Sequence, residues 1–413
     1  MTQRRNLMKP LAAVMPPRHM AHLVASRSYL SYSKEALQDK LKHNPYSYIQ
    51  VINPDASSHV DSPRGTSGFY EAVRQGYDAF KNQGWLQESP QQEWLVYRQS
   101  QGAESWTGIV CNLDLGLCRD GRLKTHEQTL ETREGMFANF LEHVGFHAEP
   151  ILCAHPNRGQ GHADAATILA SVTEDSAHTD FMTADGVRHQ IWRVDATSPQ
   201  GHVLNEAWNQ TDALYLADGH HRLASSQRLA KARPDLPGAQ EILAFVVPQD
   251  DLTIHGFHKE IRGVHADTDA IDQALNALGC DVHRVLDGRE MPSQPGEILV
   301  MHRGTTWSLV RPEGEEGTDA EWVNVHLLGR VLGVEDPRND PKLRHRPAVE
   351  RPSTGWLSSL KDHDDRLLVL IHPIPFDQII DVADREGTLP PKSTWVEPKL
   401  RSALFIHEFD AEP

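Results

Sequence analysis

A turn that follows an apolar strand carries the most chemically capable residues of this chain. The strand-like run is Ala213–Ala217, and the residues of the turn after it are Asp218, Gly219, His220, His221 and Arg222. Gly219 permits a tight turn, and the free amides at the start of the next helix favour a bound anion. Arg222 can hold two oxygens of a phosphate while an imidazole donates to a third. The turn therefore predicts a phosphate site, with a helix cap at Asp218 and two solvated histidines as the alternative.

A second group, Lys124, His126 and Glu127, stands just before another helix-like segment. A carboxylate beside a phosphate site is the residue type that phosphoryl transfer uses to accept a hydroxyl proton or to hold Mg²⁺. Lys124 can neutralise charge that develops on the transferred group. From the residues alone, a solvated and charged strand edge is an equally good interpretation of this group.

Two other kinds of site are weaker predictions. Zinc ligands could come from His162 with Asp164, or from His220 with His221, but neither an HxxxH nor an HExxH spacing accompanies them. Cys153 lies in an apolar strand, where a thiol is usually inert, so it is a poor nucleophile. The sequence also lacks GxxxxGK[ST], a GxGxxG after a strand and GxSxG, which excludes the common nucleotide and hydrolase motifs.

Strand and helix patterns that position these groups alternate along the chain. Strands are predicted at 46–52, 93–99, 105–115, 149–154, 188–194 and 241–248, and a polar loop at 155–167. One helix is predicted from apolar residues between Phe69 and Phe80. Another is predicted from a stripe made of Met136, Phe137, Phe140, Leu141 and Val144. Interleaved elements of both kinds predict a mixed α/β (α+β) fold.

The composition is that of a globular chain that repels nucleic acid. Of the 413 residues 39% are hydrophobic, and 41 Lys and Arg against 57 Asp and Glu give a formal charge of −16. No stretch approaches the roughly 18 apolar residues of a membrane span. The four cysteines are irregularly spaced, which favours reduced thiols. We therefore expect a cytoplasmic protein with no nucleic-acid or membrane partner.

The whole pattern resembles the domain of unknown function 1015 family over nearly the full chain. The segments that carry the resemblance include KTHEQTLETREGMFANFLEHVGFHAEPIL, LYLADGHHRLASSQRLA, LGVEDPRND and PPKSTWVEPKLRSALFI. The order of KxHE, helix, PIL strand and DGHHR turn is also similar to the ParB/sulfiredoxin fold and its free serine kinases, over about residues 116–248. Those enzymes phosphorylate the hydroxyl of L-serine with ADP, ATP or pyrophosphate.

The resemblance implies roles for individual residues. Glu127 would be the general base on the serine hydroxyl, and the turn from Asp218 to Arg222 would bind phosphate and lie near a metal, with Asp218 and Glu127 holding Mg²⁺. Two departures concern substrate contacts: the chain has Tyr29-Leu30 where the family often has Tyr-Asp, and Met136-Phe137 where it has an acidic-Arg pair.

Several other positions are predicted to lie at or over the site. They are Arg98, His189, Lys392, Ser393 and Thr394. Lys392, Ser393, Thr394 and also Lys399 could close over a phosphate, but a Pro-flanked loop before a buried strand can need the same residues for its turn.

The leading functional prediction is a free L-serine kinase, with phosphoserine as the substrate of the reverse reaction. The alternatives are a non-catalytic regulatory protein that binds nucleotide or phosphate, and a phosphoserine phosphatase. The predicted segments are 1–115, a catalytic core at 116–265, and 266–413; the residues give no indication of the oligomeric state.

Overall fold

The computed structural model describes residues 5–57, 62–157, 160–286, 288–312, 314–315, 317–334, 336–337, 339–347, 364–390 and 392–409. The chain forms two compact units. The first unit consists of Met1–Leu252 together with Pro398–Pro413, and the second consists of Thr253–Glu397. The segment boundaries predicted near residues 115 and 265 differ from this division and stay a prediction.

The first unit contains thirteen of the strands that the structure describes. They are β1 (Met8–Lys9), β2 (Val14–Met15), β3 (Gln87–Glu88), β4 (Glu93–Gln101), β5 (Glu104–Asp114), β6 (Leu123–Lys124), β7 (Phe146–His147), β8 (Ile151–His155), β9 (Thr179–Met182), β10 (Arg188–Asp195), β11 (Leu214–Asp218), β12 (Glu241–Pro248) and, near the end of the chain, β20 (His407–Glu408). Its helices are α1 (Ala21–Val24), α2 (Lys34–His43), α3 (Ile49–Ile52), α4 (Pro54–Ser57), α5 (Ser67–Asn82), α6 (Leu115–Leu117), α7 (Glu131–Val144), α8 (Gln160–Glu174), α9 (Pro199–Asn209) and α10 (His220–Ala232).

One large mixed sheet organises the first unit. Its strand order is β6-β11-β8-β12-β5-β4-β10-β9, and β1 pairs with β5. The β6–β11 and β8–β12 pairs are parallel, and the other pairs of this sheet are antiparallel. Strands β5 and β12 come from opposite sides of residue 115, so one sheet joins the two segments predicted to meet there. Two short ladders, β2–β3 and β7–β20, complete the strand pairing described for this unit.

The central strands β4 and β12 are buried along most of their length, which indicates that other elements cover both faces of the sheet. One face packs Trp94, Val96, Ile109 and Cys111 into the main apolar core. Helices α7 and α10 pack against each other and bury Ala138 and Leu229 together with Ala239 and Phe409. Packing against α7 thus fixes the position of α10.

The second unit is built on an all-antiparallel sheet. Its strands are β13 (Thr253–Arg262), β14 (Asp281–Arg284), β15 (Glu297–His302), β16 (Thr305–Val310), β17 (Leu343–Pro347), β18 (Arg366–Ile371) and β19 (Thr394–Glu397). The order is β14-β16-β15-β18-β13-β17, with β19 paired to β13. Its helices are α11 (Thr268–Asn276), α12 (Asp319–Trp322) with a π-helical continuation over Val323–Val331, and α13 (Phe376–Asp384). Helices α11 and α12 and the π-helical segment pack over a core that includes Val300, Trp307 and Leu327.

The mixed α/β class predicted from the alternating patterns is confirmed, but two local predictions are wrong. The apolar run at 46–52 forms a turn and α3, not a strand, because it is buried and a short buried helix has the same composition as a buried strand. The polar loop predicted at 155–167 becomes helical from Gln160 onward. Its alanines favour a helix, and the apolar residues that follow, Ile168, Leu169 and Val172, anchor the helix in the core.

Candidate functional site

Adjacent strands bring the two chemically capable segments together. Strand β6 ends at Lys124 and pairs in parallel with β11, with Lys124 opposite Tyr215. Parallel strands end at the same edge of a sheet, so the chain after β6 and the chain after β11 leave the sheet side by side. The irregular segment 125–130 then passes the start of α10. The structure therefore joins the KxHE and DGHHR segments at one edge.

Glu127, His126 and His220 form a compact cluster at this edge. A carboxylate oxygen of Glu127 lies 3.6 Å from Nδ1 of His220, and the rings of His126 and His220 meet edge to face with centroids 4.6 Å apart. His126 is 1% exposed and His220 is 7% exposed. Burial lowers the pKa of His126 to about 4 and lowers the pKa of His220 well below its usual range. Both imidazoles are therefore neutral at physiological pH.

A network of opposite charges surrounds Asp218. Arg222 donates to Asp218 at 2.8 Å and also donates to Glu149, while Lys399 donates to the other Asp218 oxygen at 3.1 Å. Burial raises the pKa of Asp218, but the charges of Lys399 and Arg222 outweigh burial and hold that pKa below its ordinary value. Asp218 is thus an ionised partner of two cations, and not the helix cap of the alternative interpretation: the α10 N-cap is Gly219, with no side-chain cap bond.

Gly219 is required by the geometry of the turn. Its φ is +104°, in the left-handed region that glycine tolerates. A Cβ at this position would lie 2.9 Å from Cγ2 of Ile151 and 3.0 Å from Nε of Arg222. The absence of a side chain lets the turn approach β8 and lets the Arg222 side chain fold over the turn.

Magnesium binding by Asp218 and Glu127 stays a prediction. Magnesium prefers oxygen ligands in a near-octahedral shell. Both oxygens of Asp218 already accept from cations, and Glu127 stands among imidazoles. A magnesium ion at Asp218 would therefore compete with Lys399 and Arg222 for the carboxylate oxygens.

A cavity of about 320 Å³ opens beside Arg222. Aromatic and apolar side chains dominate its lining, with charged groups at Arg64, Arg222 and Glu149; the lining includes Tyr29, Tyr70, Met136, Phe137 and Phe140. Met136 is 50% exposed and Phe137 is 44% exposed, so the front of the predicted α7 stripe faces this cavity and solvent instead of the core. Met136 and Phe137, at which the chain departs from its family pattern, thus contribute to the wall. Tyr29, which precedes the other departure at Leu30, also lines it.

The structure does not bring Arg98 and His189 to the turn. They lie on β4 and β10, which are separated from β11 by β8, β12 and β5. At about 4.8 Å per strand, β4 is roughly 19 Å from β11. Arg98 donates to Oγ1 of Thr107 at 2.8 Å, and Nδ1 of His189 lies 2.7 Å from the hydroxyl of Tyr97.

The predicted Lys392, Ser393 and Thr394 belong to the second unit. The Lys392 carbonyl accepts from the buried Lys259 at 3.1 Å, the Ser393 hydroxyl donates to the Pro390 carbonyl at 2.6 Å, and Thr394 begins β19. These contacts shape a turn, and their closure over a phosphate stays a prediction. The His162 side chain, one of the zinc candidates, lies outside the described residues.

Glu149 and the full role of Lys399 were missed by sequence reasoning. Glu149 precedes a buried strand and so looks like an ordinary polar flank. Only the pairing of β8 with β11 shows that it borders the turn. Lys399 lies 181 residues from Asp218, and no local pattern links the two.

The fold and the site define a mixed α/β protein with an acidic and imidazole-rich cluster at one sheet edge. Residues 8–333 match the family described as Protein of unknown function (DUF1015), and the chain belongs to that family. A comparison with curated protein sequences found no significant match. Among the residues that the structure describes, no helix has both the length and the apolar character needed to cross a bilayer.

Several solved structures are similar at low identity. A free serine kinase in complex with AMP is 13% identical, covering 71% of this chain and 92% of its own, with a TM-score of 0.38. SbnI with a C-terminal truncation, from Staphylococcus aureus, is 12% identical, covering 71% of this chain and 87% of its own, with a TM-score of 0.39. A conserved hypothetical protein from Pyrococcus furiosus is 14% identical. The match covers 72% of this chain and 94% of that protein, with a TM-score of 0.37.

Proposed function

We propose that the first unit transfers a phosphoryl group to the hydroxyl of a small metabolite, with free L-serine as the first acceptor to test. One observation carries the proposal: the Glu127 carboxylate lies 3.6 Å from His220 at the head of the DGHHR turn. A carboxylate able to accept a proton therefore borders the same space as a turn that carries imidazoles and an arginine.

Phosphoryl transfer to the hydroxyl replaces one P–O bond by another. The acceptor hydroxyl oxygen bonds to the phosphorus, the bond between phosphorus and the bridging oxygen of the donor breaks, and Glu127 takes the hydroxyl proton. Arg222 and Lys124 stabilise negative charge on the phosphoryl oxygens. Because Arg222 is held by Asp218 and Glu149, a bound phosphate competes with these carboxylates for its guanidinium. The reverse transfer, from phosphoserine, uses the same groups.

The cavity beside Arg222 supports a nucleotide as the donor. Its aromatic and apolar lining suits the flat face of a nucleobase, whereas pyrophosphate has no apolar part to place there. Arg222 stands at the boundary between this lining and the turn, which is where the phosphates of ADP or ATP would lie. Pyrophosphate remains the comparison donor.

The experiment measures phosphoserine formed from L-serine with ADP, ATP and pyrophosphate in turn. We expect turnover with a nucleotide and a fall of at least about a hundredfold in kcat for Glu127→Gln, which keeps the shape of the side chain but not its basicity. Glu131→Gln, in the exposed first turn of α7, is the matched control and should keep full activity. No turnover with any donor, or full activity in Glu127→Gln, would remove the proposal.

The same preparation tests the non-catalytic alternative and the phosphatase. Calorimetric binding of nucleotide that is lost in Arg222→Ala, with no product formed, would favour a regulatory protein. Release of phosphate from phosphoserine in the absence of any nucleotide or phosphate acceptor would favour a phosphatase.

A further inference from the structure

Three potential metal ligands converge at the sheet edge. His126, Glu127 and His220 each place one ligand atom within 4.8 Å of the other two. They come from two different segments, the irregular stretch after β6 and the first residue of α10. A parallel strand pair holds those segments together, so the convergence is built into the fold and does not depend on a single flexible loop.

The two histidines of this cluster have unsatisfied ring nitrogens in the interior. His126 is 1% exposed, and neither of its nitrogens has a hydrogen-bond partner among the described residues. His220 is 7% exposed, and within the same part of the chain its Nε2 has no partner. A buried polar atom without a partner costs on the order of 1–3 kcal/mol, and native proteins rarely leave one so. Two such residues that face each other and a carboxylate indicate a group that binds between them.

We infer that His126, Glu127 and His220 bind a divalent transition-metal ion of the zinc class. Imidazole nitrogen suits zinc, iron and related ions, and two histidines with one carboxylate are a ligand set of three-ligand metal sites. The ligand atoms around a tetrahedral ion would be roughly 3.3 Å apart at metal distances of about 2.0–2.1 Å. The cluster therefore closes on the ion by small side-chain rotations, for which the irregular backbone at Glu127 leaves room.

The surrounding charges are compatible with a cation. The guanidinium of Arg222, two residues after His220, is paired with Asp218 and Glu149, and Lys399 is paired with Asp218. Three protein ligands leave a coordination position open toward the turn, where an anionic oxygen can bind. This inference does not depend on phosphoryl transfer, because a metal can bind here whatever reaction the site performs. Where both hold, one Glu127 oxygen binds the metal and the other takes the hydroxyl proton.

The test uses the full chain, stripped of metal with a chelator and titrated with Co²⁺ while the visible absorption is recorded. We expect one equivalent of Co²⁺ to give d–d bands typical of a four- or five-coordinate site. Zn²⁺ should displace it stoichiometrically, and a thousandfold excess of Mg²⁺ should not. His126→Gln and His220→Gln should each weaken Zn²⁺ binding at least tenfold, measured by competition with a chromophoric chelator.

A buried histidine outside the cluster provides the matched control. His155 is 3% exposed and lies 3.0 Å from Oγ1 of Thr211, so His155→Gln should keep one equivalent of bound metal. Glu127→Gln, at a less buried ligand, is the second variant if a histidine variant fails to fold, and should weaken Zn²⁺ binding in the same way. The absence of a stoichiometric Co²⁺ spectrum would overturn the inference and leave a buried water as the partner. Unchanged Zn²⁺ affinity in the ligand variants would also overturn it. Both readouts are independent of turnover.

Discussion

The ammonium group of Lys399 lies 3.1 Å from Oδ1 of Asp218, although 181 residues separate them in the chain. The segment that carries Lys399 returns to the first unit after the whole of the second unit has been inserted. The last part of the chain therefore completes the charge balance of a turn formed in its middle. Asp218 accepts from both Lys399 and Arg222, so the two cations share one carboxylate.

Replacing Lys399 tests whether the Lys399–Asp218 pair contributes to ligand binding more than to the stability of the fold. Both side chains are more than one third exposed, so we expect Lys399→Met to lower the free energy of unfolding by no more than about 1 kcal/mol. Loss of the cation should weaken the binding of a phosphate-bearing ligand by roughly tenfold. Urea unfolding and calorimetry on the same preparation measure the two quantities. A loss of several kcal/mol would instead identify the pair as a structural requirement.

Gly219→Ala should destabilise the protein more than alanine at an unobstructed glycine. Alanine at a positive φ costs about 1–2 kcal/mol by itself. At position 219 the new Cβ also meets Ile151 at 2.9 Å, which adds at least about 1 kcal/mol. Gly186 has a φ of +77°, and no described atom would lie within 4 Å of a Cβ added there, so Gly186→Ala measures the conformational cost alone. Equal unfolding midpoints for the two variants would contradict the predicted crowding at the turn.

His189 should make the protein less stable in acid. Burial and the charge of Arg401 lower the pKa of His189 from 6.5 to about 3. The unfolded chain binds the proton near pH 6.5 and the folded chain does not, so this contribution is complete above pH 6.5 and is lost as the pH falls toward 3. At pH 5 the loss is about 2 kcal/mol.

The measurement compares thermal unfolding of the wild type and His189→Gln between pH 7.5 and 5. Glutamine does not titrate, so the stability advantage of the wild type should shrink as the pH falls. His202 is exposed, and His202→Gln should leave the pH profile unchanged. An advantage that stays constant across this range would contradict the assignment of a neutral buried His189.

Phe137→Ala should show whether the phosphate donor is a nucleotide or pyrophosphate. Phe137 is 44% exposed and lines the cavity, so its loss should cost little stability but should remove a stacking surface. Stacking of a base on an aromatic ring is worth about 1–3 kcal/mol, so the KM for a nucleotide should rise at least about fivefold. Val203 is 51% exposed and lies outside the cavity lining, so Val203→Ala is the control. An equal rise in KM for pyrophosphate would show that the cavity does not hold a base.

The elements with a strong period could be predicted from the sequence because their signals are local. The apolar spacing from Phe69 to Phe80 becomes α5, and the strand, turn and helix around Gly219 appear as β11 and α10. The strand predicted at 46–52 was wrong because a short buried run has no period that distinguishes a helix from a strand. The stripe that contains Met136 and Phe137 shows which residues of α7 share a face, but not that part of this face lines a cavity and meets solvent.

The sequence by itself determined the residue types of the site: a carboxylate beside a histidine in one segment, and a glycine turn with histidines and an arginine in another. Only the tertiary structure decided which groups meet. The parallel pairing of β6 with β11 brings Glu127 to His220, and the same sheet places Arg98 and His189 several strands away. The reason is physical: local propensity acts within a few residues, whereas strand order is set by the burial of whole faces, which no short segment encodes.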